Sequence, residues 1–170
     1  MVGALRAGLA AAMLACVAPA TAPAQSFLER SRRDDVTQMS DDHPAMRAAF
    51  AKARRTLGGF LKTAERPEPG TSGHSVKIGL RDEGVTEYFW VSDLRGDGAS
   101  FVGRLANTPR RVRGYQLDQS IRFSRAEIVD WTYRQGARRK GNFTACALLT
   151  QEPAAERAEY MRRTGLVCGR

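Results

Sequence analysis

The sequence predicts an α+β domain: one long N-terminal helix packed on a curved antiparallel sheet of about six strands, with a short C-terminal helix. Three observations carry this. Apolar residues recur at helical spacing from Met46 to Ala64. From Val76 onward the period changes to two, and turn residues divide the strands. A second helical stretch runs from Pro153 to Arg163, ending at Gly165.

Residues 1–24 have the grammar of a secretory signal peptide. Arg6 gives a positive start, Ala7 to Ala18 is uncharged and apolar or small, and Ala22-Pro23-Ala24 offers a small-x-small cleavage site before Gln25. The run is too short and too Ala-rich for a spanning helix, which needs about 20 apolar residues. An alternative is lipoprotein processing at Met13-Leu14-Ala15-Cys16, with Cys16 lipidated. Either route places the protein outside the cytoplasm. Residues 25–42 are polar and aperiodic, the composition of a flexible tether. Residues 43–170 form a single domain, with a long enough chain for a genuine core.

The helix starts at Asp41-Asp42-His43-Pro44, where Asp42 can cap and Pro44 costs nothing in the first turn. Met46, Phe50, Ala53, Leu57, then Phe60 or Leu61, and Ala64 form its apolar stripe. Gly58-Gly59 weakens it, and a close approach to the sheet would explain small residues there. Pro67-Glu68-Pro69-Gly70 ends it. Val76, Ile78 and Leu80 alternate with polar residues as a half-buried strand, and Asp82-Glu83-Gly84 is turn chemistry. Glu87 to Ser92 is apolar on both sides, as in a central strand. Phe101 to Leu105, then Ile121 with Phe123, then Glu127 to Tyr133 give three more strands. Gln135 to Lys140 is a charged turn, and Asn142 to Leu149 is predicted as the sixth strand.

Without the leader two cysteines remain, Cys146 and Cys168. An even pair in an oxidising compartment is the usual setting for a disulfide. The formal charge is +9, from 27 basic residues scattered along the chain, and removal of Arg6 lowers it by one. Outside the cytoplasm nucleic acid is not the expected partner. An acidic envelope polymer or a protein partner is compatible with this charge.

Glu87-Tyr88-Phe89-Trp90-Val91, Phe101 to Pro109 with Asn107-Thr108-Pro109, and Asp130-Trp131-Thr132-Tyr133 follow one another in a recognisable order. Over roughly residues 45–150 the chain resembles the uncharacterised bacterial YegJ-like family, a domain of unknown function. The family tends to carry Gly-Asp before its fourth strand, where this chain has Asp118-Gln119. The segment after Thr150 reads as particular to this sequence. The resemblance implies a small α+β domain and brings no established activity and no catalytic residues.

No metal site is expected, because His43 and His74 are the only histidines and neither has a second ligand at suitable spacing. No nucleophile elbow, phosphate loop or dinucleotide fingerprint is present, so no cofactor is expected. Arg95-Gly96-Asp97 is good turn chemistry, and Asn142-Phe143-Thr144 matches a glycosylation acceptor only by pattern. The remaining constellation is Glu87 and Asp130 as an acid–base pair, with Trp90, Asn107, Trp131 and Tyr133 as binding residues. Its architectural reading is that strand carboxylates anchor turns while aromatic residues fill a core. The function expected is an exported, non-catalytic binding or accessory protein of the cell envelope. The alternatives are a glycan hydrolase using Glu87 and Asp130, or an inhibitor that binds a secreted enzyme.

Overall fold

A computed structural model describes residues 25–33 and 39–169. The expected leader and Cys16 lie outside the described residues. Four α-helices and six strands occur in the order α1 (Phe27–Arg32), α2 (Pro44–Glu65), β1 (Thr71–Asp82), β2 (Val85–Gly96), β3 (Ser100–Leu105), β4 (Ser120–Ser124), β5 (Ile128–Gln135), β6 (Arg138–Gly141), α3 (Phe143–Leu149) and α4 (Ala154–Thr164). The strands form one antiparallel sheet, ordered β4-β3-β2-β1-β5-β6, so the architecture is α+β.

The stretch predicted as a tether contains α1. Ser26 and Glu29 form a reciprocal capping box, and Phe27 packs edge-on against Tyr160 of α4. The amide of Phe27 also donates to Glu156 at 2.7 Å. Two adjacent apolar residues, Phe27 and Leu28, in a polar segment were too weak a periodic signal to reveal this docked turn.

Helix α2 starts where expected, but His43 caps it instead of Asp42: its Nδ1 accepts from the Ala45 amide at 3.2 Å. Ala53, Leu57 and Phe60 seat on the sheet face carrying Val76, Ile78, Phe89, Val91 and Trp131. The glycine pair does not mark a close approach. A Cβ added at Gly59 would meet nothing within 4 Å, and one at Gly58 only the Arg125 guanidinium at 3.5 Å.

Strands β1 and β2 join through Glu83 and Gly84, both at positive φ as a two-residue hairpin of the right twist needs. Register shifts between Ser72 and Ser75, Lys77 and Ile78, and Ser92 and Arg95 bend the sheet. The Asp97 carboxylate accepts from Ala99 and Ser100 and closes the β2–β3 turn, so Arg95-Gly96-Asp97 is hairpin chemistry. Asp118 takes φ +64, which Asp tolerates better than most residues.

The predicted sixth strand is corrected. Residues 138–141 are the strand, and residues 143–149 are helix α3. Gly141 at φ +72 and Asn142 at φ +55 turn the chain out of the sheet within two residues. A Cβ at Gly141 would lie 2.1 Å from the Trp131 carbonyl oxygen, so only glycine fits. The Ala- and Leu-rich segment beyond then follows its helical propensity.

Candidate functional site

Asp130 is fully buried on β5, opposite Lys77 of β1. Its Oδ1 accepts from the amides of Trp131 at 2.8 Å and Phe143 at 3.2 Å. Its Oδ2 accepts from both the amide and the hydroxyl of Thr144 at 2.8 Å. Asp130 therefore caps the N-terminus of α3 from another element, since Asn142 makes no side-chain cap. Burial pushes the Asp130 carboxyl up from the ordinary carboxylate range, opposed by Lys77 and the Thr144 and Trp131 hydrogen bonds. The Lys77 ammonium donates to Thr144 Oγ1 at 2.7 Å and lies 4.6 Å from the centre of the Trp90 ring.

Glu87 is also buried, but it belongs to the other strand face. It pairs with Leu80, and the alternation of β2 places it with Phe89 and Val91. Asp130 shares the opposite face with Lys77 and Trp90. The Glu87 carboxylate accepts from three consecutive amides, Arg110, Arg111 and Val112, at 2.8–3.2 Å. Asn107 accepts from the Trp90 amide at 2.9 Å, just beyond the end of β3. Both residues thus fasten the 106–112 segment along the part of β2 that β3 leaves unpaired.

The other candidates separate in the same way. Trp131 stacks on Phe60 and donates from its indole to Ala53 O and Thr56 Oγ1, which places it in the core with α2. Tyr133 stacks on His74 with ring centres 5.1 Å apart. The His74 Nε2 is buried without a hydrogen-bond partner, and burial lowers its pKa. Trp90 and Asn107 do come together. They line one cavity of about 250 Å³, which Lys77, Glu87 and Thr144 also border. Its remaining walls come from α1, α3, α4 and the first turns of α2.

Lys77, Asn142 and Thr144 are the cavity residues that sequence reasoning missed. For Asn142 and Thr144 the signal was Gly141-Asn142, a turn-forming pair before a helix-forming run, which a strand reading of residues 142–149 hid. Cys146 and Cys168 form a disulfide with Cα atoms 5.6 Å apart, tying α3 to the segment after α4. Among the described residues no group of three His, Cys, Asp or Glu could hold a metal ion, and no helix is long and apolar enough to cross a membrane.

A family model described as an uncharacterized protein conserved in bacteria (DUF2314) matches residues 43–167. The match runs past Thr150 through α4 to residue 167, so most of the segment expected to be particular to this chain, Cys168 excepted, falls within the family match. The chain is 30% identical over 118 residues to the uncharacterized protein YegJ of Escherichia coli, covering 69% of this chain and 76% of that protein. No solved structure matches.

Proposed function

The chain belongs to the DUF2314 family of uncharacterized bacterial proteins, and on that premise we propose that it is an exported, non-catalytic binding or accessory protein of the cell envelope. One observation carries the non-catalytic part. Asp130 and Glu87 extend from opposite faces of the sheet, and each is saturated by hydrogen bonds from its own chain. A hydrolytic pair must flank one bond from one cleft, with the carboxyl groups within about 10 Å of each other. The Cys146–Cys168 disulfide supports export, because such bridges persist in oxidising compartments. The excess of basic residues suits an acidic envelope polymer or an acidic protein surface as partner.

The test is fractionation of expressing cells with intact-mass analysis of the chain. The expected result is a disulfide-bonded protein outside the cytoplasm that begins at Gln25. A reduced cytoplasmic chain that retains Met1 would overturn the proposal.

A further inference from the structure

We infer that the fork in the sheet between β1 and β2 is a docking groove for an extended acidic peptide, which adds to the sheet as a strand. This rests on the reading of the protein as a binding module and specifies its partner and the surface that holds it.

The fork is the starting observation. β1 and β2 pair from their hairpin only as far as Val76 and Val91. Both strands run on past that point, but apart. β1 extends back to Thr71 along β5, and β2 continues to Gly96 along β3. Each has a register shift near the parting, Ser72 to Ser75 on β1 and Ser92 to Arg95 on β2, with Gly73 and Asp93 at positive φ. Irregularities of this kind end pairing and turn strands aside. Beyond Val76 and Val91 the two inner edges are not paired with each other. They bound a groove of about 710 Å³, within the size range of ligand clefts. Its lining includes Gly73 and His74 from β1, Ser92, Leu94 and Arg95 from β2, and Arg104 from β3.

The class of partner follows from the edges. An edge without a neighbouring strand presents N–H and C=O groups at strand spacing. An extended peptide matches that spacing with its own backbone, and a sugar chain does not.

The side chains of the peptide follow from charge. Arg95 pairs with Val102 and Val102 with Arg122, so they stand in one row on one face of the sheet, and Arg104 shares that face. The three arginines are exposed, and no described acidic side chain pairs with Arg95 or Arg122. Arg104 meets the Asp118 carbonyl and the exposed Asp93 carboxylate, the latter at 3.8 Å, a weak surface pair. Leu94 packs against the core cluster under α2 instead. Side chains of a strand laid along β2 alternate between these two sides, one set toward the arginines and the other beside Leu94 and Ala64. The fitting peptide is acidic at every second position and aliphatic between.

The test is titration of the purified, disulfide-intact protein with a capped hexapeptide of alternating valine and aspartate, followed by amide chemical shifts and hydrogen exchange. Binding is expected, with shifts and new protection centred on residues 73–75 and 92–96. The same peptide with lysine for aspartate, or fully N-methylated, is expected to bind at least about tenfold more weakly. Oligogalacturonate, an acidic sugar chain, is also expected to bind more weakly. Arg95→Gln combined with Arg122→Gln removes two exposed charges, and it is expected to leave the thermal midpoint unchanged and weaken the aspartate peptide about tenfold. Absence of peptide binding at millimolar concentration overturns the inference. So do equal binding of the lysine or N-methylated peptide, equal or tighter binding of oligogalacturonate, shifts centred outside the fork, and unchanged binding by the double variant. An exported protein that ignores the peptide overturns only this inference. A cytoplasmic chain overturns the envelope reading, whatever the peptide does.

Discussion

Asp130 and Thr144 are joined twice, the threonine amide and hydroxyl each donating to Oδ2 at 2.8 Å. The pair links β5 to the first turn of α3, and Lys77 completes it from β1. Three elements distant in sequence therefore depend on one carboxylate.

Asp130→Asn replaces an acceptor with a donor facing the Thr144 amide and hydroxyl. A loss of about 3 kcal/mol is expected, the range for breaking a buried, hydrogen-bonded charge. Urea denaturation checks it. Thr144→Val, which removes one of these bonds, should cost about 1–2 kcal/mol. A wild-type midpoint for Asp130→Asn would show that the cap carries no stability.

Glu87→Gln leaves one acceptor oxygen for three amides. A loss of about 1–2 kcal/mol is expected, with faster amide exchange at Arg110, Arg111 and Val112. Hydrogen exchange localises the effect to that segment, because Glu87 and Asp130 lie on opposite faces and share no partner.

Gly59→Ala should stabilise the protein by about 1 kcal/mol. The position is helical, its added methyl meets nothing, and the gain comes from helix propensity. Thermal denaturation decides it. A loss of stability would mean that the open space beside Gly59 is occupied in solution.

The Cys146–Cys168 bridge spans 22 residues and fastens α4 over the Phe27, Leu149 and Leu166 cluster. A double change to Ser should cost about 3 kcal/mol in the chain-entropy model. Denaturation of the oxidised, reduced and double-Ser proteins should place the last two together.

His74 is expected to make stability fall in mild acid. Burial lowers its folded pKa below the unfolded value, so between the two the unfolded chain binds the extra proton. Stability from this residue is full above about pH 6.5 and is lost as pH falls through the folded value. His74→Phe keeps a ring against Tyr133 and removes the proton site. Its midpoint should drop less than the wild type's between pH 7.5 and 5.5.

The sequence by itself determined the fold class, the apolar stripe of α2, the order of the first five strands and the cysteine pair. Each of these is a local period or a count: 3.6 for Met46 to Phe60, two for Val76 to Leu80, and two cysteines beyond residue 24. The family resemblance was equally legible, because its motifs are contiguous. Only the tertiary structure decided which candidates meet. Glu87 and Asp130 look equivalent as strand carboxylates, but strand parity and pairing put them on opposite faces. Trp90 and Trp131 part for the same reason, one to the cavity and one to the α2 core. The turn signal at Gly141-Asn142 was local, but the close approach of Gly141 to Trp131 that fixes the turn there belongs to the tertiary structure. Once it turned residues 143–149 into a helix, Lys77, Asn142 and Thr144 came to the same cavity from segments 65 residues apart in the chain.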